Sequence, residues 1–412
     1  MSVGRLWRFR NYRSPVVDVL SDAQFRALIA SQAIFDLGIF MRGAANSWVI
    51  LELTHSQLWI GLVAGVRAFP ILLLALFGGV ISDRFGRRNL MMAAGTVMVV
   101  ASAITAVLIS TGTLVSWHLI ALSVLGGVGG ALYGPAFFAL LGDIVRSDRL
   151  VNANGILAVA QTSGEMLGPL IVGFVIVASG THTVFWLVVA GNTFGLMLLL
   201  RVREPERDPS DSKASFASQL VEGLRYARDT PPLLWLTLLV MVQNLFAVAI
   251  FPLMPIYADE ILNIGPAGFG LMGGVFGAGL LAGAAVVAVV GIYHRHAFVL
   301  LAAGVVWDIA MVSFGFSRSL PLSLGLLFVM GLAGMPWVTA ALTMFQQAAT
   351  REMRARVMSL YVIAMNMFPL GWLFGGAVAQ WLGNEEALII SAMLGSPVAA
   401  AALLLSKELR RA

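Results

Sequence analysis

The sequence predicts an all-α membrane protein whose twelve transmembrane helices form two pseudo-symmetric six-helix bundles. Three observations predict it: apolar runs of membrane length, basic residues confined to alternate loops, and a repeat at about half the chain length. Of the 412 residues, 59% are hydrophobic and 11% charged, whereas a soluble domain carries about 25% charged residues. Runs of about 20 residues cross a bilayer as a helix. Such runs fall at 26–52, 57–80, 89–111, 115–141, 151–178 and 183–201, and again at 233–258, 266–292, 297–316, 321–347, 355–382 and 386–406.

The loops between these runs alternate in charge. Arg5, Arg8, Arg10 and Arg13 precede span 1; Arg146 and Arg149, the arginines of 201–228, and those of 351–356 fill later loops on the same side. Lys407, Arg410 and Arg411 end the chain. The opposite loops hold Glu52, Asp259, Glu260, Glu385 and Glu386, with Arg318 as the exception. By the positive-inside rule both termini are cytoplasmic, which requires an even number of spans. The net charge of +5 therefore reflects topology. Scattered short basic loops form no single patch, so no nucleic-acid partner is expected. Residues 1–25 are polar and basic, and the first apolar run is long enough to remain in the membrane, so no cleavable signal is expected.

Other classes lack their chemistry in this chain. Without cysteine there is no disulfide, thiol nucleophile or cysteine-based metal site. His55, His118 and His182 fall near loop ends with no carboxylate spacing that suggests a metal. No G-x-S-x-G, H-E-x-x-H or Gly-rich phosphate loop is present, which argues against a membrane enzyme and a self-contained ATP-driven pump. A receptor or scaffold would normally append a soluble domain. No cofactor or metal is expected.

The repeat organises the rest. Asp36-Leu37 corresponds to Asn244-Leu245, and Glu52 to Glu260. Gly61, Gly65 and Ala68 of span 2 fall on Gly270, Gly274 and Gly277 of span 8, and Arg146-x-x-Arg149 on Arg351-x-x-Arg354. The expected units are a cytoplasmic segment 1–25, a six-helix bundle 26–201, a linker 202–232, a second bundle 233–406 and a tail 407–412. Within the linker, Glu204-Pro-Glu-Arg-Asp-Pro-Ser210 reads as flexible chain. Phe216 to Arg228 has the apolar spacing of an amphipathic helix on the membrane face, tethering the halves.

The tight loop between spans 2 and 3 reads Gly79-Val-Ile-Ser-Asp83-Arg84-Phe-Gly86-Arg87-Arg88. Glycines permit a sharp reversal, Asp83 can accept bonds from a helix start, and the arginines sit in the anionic headgroup layer. The segment resembles in full the G-x-x-x-D-R-x-G-R-R signature that joins helices 2 and 3 in the major facilitator superfamily. That resemblance implies a secondary transporter with these six residues, Gly79, Asp83, Arg84, Gly86, Arg87 and Arg88, as its gating motif. A degenerate copy, His294-Arg295-His296, follows span 8 without the aspartate.

Further stretches narrow the family. Gly223-Leu-Arg-Tyr-Ala-Arg228, Arg354-Ala-Arg-Val-Met-Ser-Leu-Tyr361, Leu51-Glu-Leu-Thr-x-Ser56 and Arg67-Ala-x-Pro70 together resemble the transmembrane secretion effector group. This group includes the enterobactin exporter and macrolide efflux proteins. The resemblance implies proton-coupled export of a small amphipathic molecule, drug-like or siderophore-like, by a monomer in the bacterial inner membrane. Gly164-Glu-Met-Leu-Gly168-Pro169-Leu-Ile-Val-Gly173 in span 5 resembles the antiporter signature of drug exporters, with Val172 in place of one glycine. Its small residues are expected to pack span 5 closely on the other half. The arginine that drug–proton antiporters carry in span 4 is absent, so their proton-coupling assignment does not transfer there. Import of an anionic metabolite is the alternative within transporters.

Charges inside the membrane are the candidate machinery. Each costs about 2.5–3.5 kcal/mol at mid-bilayer on insertion scales. Asp36 and Arg42 lie in span 1, Arg67 in span 2, Glu165 in span 5 and Asp308 in span 9. Counting helical rise puts Arg42, Arg67 and Glu165 at one depth, with Asp36 about 9 Å deeper. Glu165 is therefore expected to pair with Arg42 or Arg67, and Asp36 or Glu165 to carry the proton. Protonation of a carboxylate responds in opposite senses to a nearby arginine and to loss of water, so cavity closure can switch it. The competing reading is a structural ion pair. The superfamily resemblance implies that spans 1, 4, 7 and 10 line the cavity, which makes Asn46, Tyr133, Gln243, Asn244 and Trp337 candidate cavity residues beside Arg42 and Arg67, with core packing as the alternative for the neutral ones. Asp308 is expected to be tied to a neighbouring helix.

Because only the first half keeps the acidic loop, Asp83 is expected to latch the cytoplasmic face in the outward-facing state, against the start of span 11 near Arg354 and Arg356. Asp83→Asn is expected to lower transport while leaving substrate binding intact, with spin-label distances shifted away from the outward-facing population. Lost binding with unchanged distances would rule out a latch.

Overall fold

The computed structural model describes residues 19–67, 69–70, 74, 86–204, 216–291, 296–350 and 353–405. Its helices, numbered to match the predicted spans, are α1 (Ala23–Thr54), α2 (Gln57–Gly65), α3 (Arg87–Ser110), α4 (Ser116–Ile144), α5 (Leu150–Ser179) and α6 (Thr181–Leu199) in the first half. The second half contains α7 (Pro231–Phe246), α8 (Gly265–Val290), α9 (His296–Phe316) and α10 (Leu320–Ala348). It ends with α11a (Arg354–Met365), α11b (Phe368–Leu382) and α12 (Asn384–Leu405). Among the described residues, nine helices are long and apolar enough to cross a membrane, counting α11a and α11b as one. The described parts of α2, α7 and α12 occupy the three remaining predicted positions.

Local chemistry sets several boundaries. Asp22 caps α1, its carboxylate accepting from the backbone N–H groups of Gln24 at 2.7 Å and Phe25 at 3.3 Å. Pro266 and Pro321 stand in the first turns of α8 and α10, where a missing N–H leaves no bond unmade. Gly86 precedes α3 at φ +79°, a conformation that side chains disfavour.

Three predicted spans are interrupted. Span 7 was expected to run unbroken through 258, but α7 stops at Phe246 and the chain turns through 247–253 before the short helix Met254–Ile256. Pro252 and Pro255 each remove a donor and crowd the preceding turn. The indole N–H of Trp307 donates to the freed carbonyl of Ala247 at 2.9 Å. Helix α2 gives way to a turn at Val66 and Arg67, just before Pro70. Span 11 divides at Asn366 and Met367, before Pro369.

The sequence repeat has its counterpart in the packing. Helix α1 packs on α5 and α6 as α7 packs on α11 and α12; α3 packs on α4 and α6 as α9 packs on α10 and α12. Between halves, α5 meets α8 and α2 meets α11b. Both crossings are backbone against backbone. A Cβ on Gly173 would lie 2.6 Å from the Pro266 carbonyl oxygen and 2.9 Å from the Gly270 Cα; one on Gly376 would lie 2.5 Å from the Gln57 oxygen and 2.9 Å from the Gly61 Cα. Gly61 and Gly270 are the repeat partners in spans 2 and 8, so the two crossings are related as the halves are.

The core is forked. One cluster of buried residues runs across both halves, including Trp48, Val172, Ile176, Phe269, Met272 and Tyr257. A second lies within the second half around Leu236, Leu300, Phe345 and Leu360, and a third within the first half around Phe25, Leu28, Met91 and Phe137. The halves thus join at the end bearing residues 55–56, 263 and 383 and separate at the opposite, arginine-bearing end. Trp48 stacks on Phe269 across the joined end, with ring centres 5.8 Å apart.

The helix predicted in the linker forms over Phe216–Asp229 and docks on α11a and α7. Gly223 lets it approach the Arg356 carbonyl, and Glu222 pairs with the Arg356 guanidinium.

At the joined end the Ser56 hydroxyl donates to Gln380 Oε1 at 2.6 Å. With no native cysteine, Ser56→Cys combined with Gln380→Cys gives a background-free pair. A short bifunctional thiol reagent with a reductively cleavable disulfide is expected to cross-link it and to abolish transport until a reductant is added; absence of a cross-link in membranes would contradict this packing.

Candidate functional site

Where the fork opens, the two halves enclose a cavity of about 730 Å³. Polar residues of α1 face inward: Asp36, Arg42, Asn46 and Ser47 all line it, with Asn46 one turn beyond Arg42. Arg67 enters from the break after α2, Ser123 from α4, and Gln161 and Glu165 from α5. The second half contributes Gln243 and Asn244 from α7, Trp307 from α9, Trp337 from α10, Asn366 from the break in α11 and Trp372 from α11b. Among the described residues, every charged residue on the wall belongs to the first half.

The predicted cavity residues Arg42, Asn46, Arg67, Gln243, Asn244 and Trp337 therefore come together, as do Asp36 and Glu165. Tyr133 does not join them. Its ring packs on Phe35 with centres 4.7 Å apart and its hydroxyl lies 3.5 Å from Ser31 Oγ, inside the first half. A one-residue rotation in helical phase separates a cavity face from a core face, and in span 4 an apolar sequence on all sides gave no phase to read.

The expected pairing of Glu165 with an arginine is also corrected. No carboxylate of the described residues lies within 4.0 Å of Arg42 or Arg67. Arg67 instead stacks across the interface on Trp372, its guanidinium carbon 4.7 Å from the ring centre. Arg42 lies against Gly126 of α4, where a Cβ would come within 2.6 Å of its Nη1. Asp36 accepts from Gln32 Nε2 at 2.9 Å through one oxygen only. Helical rise alone carries no azimuth, and azimuth decides such a pairing.

In the second half, Gln243 Nε2 donates to Asp308 Oδ1 at 3.4 Å, which ties Asp308 to α7 as expected. Asn244 donates to the Val240 carbonyl at 3.0 Å and contacts Met365 Sδ at 3.5 Å.

The span 5 motif faces two ways. Gly164 and Gly168 pack on α1, where a Cβ on Gly168 would lie 2.7 Å from Phe40 Cβ, while Pro169 and Gly173 pack on α8. Met166, between Gly164 and Gly168, also meets α8, where a Cβ on Gly277 would lie 2.5 Å from its Cα, so the motif packs span 5 on the other half as well as on α1.

Of the gating motif, Gly79, Asp83 and Arg84 lie outside the described residues. Gly86, Arg87 and Arg88 begin α3. The Arg87 guanidinium pairs with Asp143 near the end of α4 and donates to the Ala139 carbonyl at 2.6 Å, and Arg88 donates to the Val202 carbonyl at 3.1 Å. Glu204, read from the sequence as flexible linker, accepts the Arg87 backbone N–H and caps α3.

Comparisons with known proteins agree with this architecture. The profile of the transmembrane secretion effector family matches residues 15–411. The chain belongs to that family. Among its relatives, the multidrug resistance protein MdtG of Enterobacter lignolyticus (strain SCF1) is 26% identical over 376 residues, covering 87% of this chain and 88% of the relative. Macrolide efflux protein A of Streptococcus pyogenes is 21% identical over 383 residues, covering 90% and 93%. The multidrug efflux pump Tap of Mycobacterium tuberculosis (strain ATCC 25618 / H37Rv) is 25% identical over 374 residues, covering 85% of each. Among solved structures, a single-site variant of the nucleoside transporter NupG superposes with a TM-score of 0.76 at 12% identity, covering 94% of this chain and 100% of that one. An inward-facing, occupied bacterial homologue of the lysosomal transporter Spinster gives 0.74 at 16% identity, covering 92% and 96%. The protein is thus a multi-pass membrane transporter of the major facilitator superfamily, with a small-molecule substrate, and not an enzyme.

Glu204→Ala is expected to destabilise the purified protein by about 1 kcal/mol through loss of the α3 cap. A lowered thermal unfolding midpoint checks this; an unchanged midpoint would remove Glu204 from the cap.

Proposed function

We propose that this transporter exports a small amphipathic molecule from the cytoplasm in exchange for protons, by alternating access. The observation that carries the reading is the forked core: a cavity walled by both halves, closed at one end by backbone-tight crossings and open at the other. The open end bears the arginines, so the positive-inside rule makes this the inward-facing state, with both termini cytoplasmic and the chain in the inner membrane. The functional units follow the boundaries 26–201 and 233–406, joined by the linker, and one chain suffices because both walls come from it.

Substrate enters from the cytoplasm and contacts both walls. Rocking of the halves then opens the outer crossings and closes the inner end, where the gating motif acts. Proton coupling falls to Asp36 and Glu165, carboxylates on the cavity wall without an arginine partner among the described residues. An unpaired carboxylate in a cavity that loses its water on closure gains affinity for a proton, and loses it on reopening. The multidrug and macrolide efflux relatives favour export. Import of an anionic metabolite is the second reading, and the two cavity arginines are what favours it.

In proteoliposomes with an imposed pH gradient, Asp36→Asn and Glu165→Gln are each expected to lower gradient-driven transport at least about tenfold while exchange without a gradient persists. Full gradient-driven transport by both variants would remove these carboxylates from coupling, and the direction of flux separates export from import.

A further inference from the structure

The arginines of the cavity have a counterpart missing. Gly126 and Gly127 are consecutive on α4; the first receives the Arg42 guanidinium and the second the Arg67 backbone, with a Cβ on Gly127 falling 2.7 Å from the Arg67 carbonyl oxygen. The Arg42 guanidinium and the Arg67 backbone thus rest on consecutive residues of α4, and both arginines line the same cavity, Arg67 with its guanidinium on Trp372. Like charges held together in a membrane interior repel and are poorly solvated. No described carboxylate neutralises either one.

The groups around Arg42 are unsatisfied as well. Its Nη1, Asn46 Oδ1 and Ser123 Oγ are buried without a hydrogen-bond partner among the described residues, and all three residues line the cavity. Asn46 stands one helical turn beyond Arg42 on α1, and Ser123 one turn before Gly126 on α4. The hydroxyl of Ser123 and the amide of Asn46, turned about its last bond, can both donate. The Arg42 guanidinium and the Ser123 hydroxyl, donors that line one cavity without an acceptor, are complementary to an oxyanion. The facing wall carries Phe276, Trp307, Met335 and Trp337 beside the neutral amides Gln243, Asn244 and Asn366, and no charge among the described residues.

We infer that the cavity selects amphipathic organic anions, with the acidic group held by Arg42, Arg67, Asn46 and Ser123 and a flat apolar body laid on the aromatic wall of the second half. The inference rests on the transporter reading and names its substrate class. A ligand of this kind touches both halves at once, so its two ends report on both walls of the alternating cavity. It also supplies the acceptor that Arg42 Nη1 and the Ser123 hydroxyl lack.

The test is a matched pair of probes sharing one body: 8-anilinonaphthalene-1-sulfonate, which is anionic, and N-phenyl-1-naphthylamine, which is neutral. Binding to the purified full-length protein is read by energy transfer from the cavity tryptophans. The sulfonate is expected to bind at least about tenfold more tightly than the neutral probe, as a charge-assisted contact implies. Arg42→Gln and Arg67→Gln are each expected to remove most of that preference while leaving neutral-probe binding in place, which also shows that the variants are folded. Equal binding of the two probes by the unmodified protein, or equal weakening of both in the variants, would overturn the inference. Short-chain phosphatidylglycerol is expected to displace less sulfonate than an equal concentration of 2-naphthalenesulfonate; the reverse order would assign the arginines to a lipid headgroup and overturn the substrate class. Efflux of both probes and of ethidium from cells, with and without the protein, examines the export reading separately. Efflux without anion preference leaves export standing and removes the inference; arginine-dependent anion binding without efflux of any probe upholds the inference and removes export.

Discussion

Contact between glycine backbones holds the two halves together. Lipid tails are as apolar as leucine side chains, so nothing hydrophobic drives helices together inside a membrane, and association depends on close van der Waals packing. Gly173 against Gly270 and Gly61 against Gly376 bring α5 to α8 and α2 to α11b at distances no side chain would allow. Both pairs lie towards the same end of the molecule. The joined core follows from that placement, and so does the cavity, since helices pinned at one end and splayed at the other must leave space between them.

The breaks in α2, α7 and α11 stand where this space begins. Each sits beside proline, and each turns backbone or a polar side chain towards the cavity: Arg67 after α2, Ala247 after α7 and Asn366 within α11. Irregular backbone at membrane depth is tolerated where protein or a wet cavity covers it. The Trp307 indole that accepts this duty for Ala247 also lines the cavity, so one side chain stabilises the break and forms the wall. Interrupted helices at an interface are also where halves hinge most readily, which suits the proposed rocking motion.

The halves share a frame but not a chemistry. Repeat partners Asp36 and Asn244 occupy matching places on α1 and α7, yet one is a carboxylate hydrogen-bonded through a single oxygen and the other an amide bonded to its own helix. Charged cavity residues come from the first half, and aromatic rings dominate the second. Divergence of this kind lets two-fold architecture provide the movement while each wall keeps its own binding task.

The helical membrane fold and the repeat were legible because each depends on composition along the chain: length of apolar runs and recurrence of glycine. Motif resemblance identified the family for the same reason. Direction around the helix axis was not legible. Helices apolar on all faces carry little amphipathic phase, so Tyr133 turned inwards to Phe35 while Ser123 of the same helix faced the cavity. Pairing across the interface was equally hidden: Arg67 meets Trp372 through a contact spanning the two halves, and Glu204 reaches from the supposed linker to the start of α3. The sequence by itself determined a duplicated membrane bundle with charges buried in its first half. Only the tertiary structure decided which of those charges stay without a partner, because partnership depends on helix rotation and crossing, and close packing of glycines sets both.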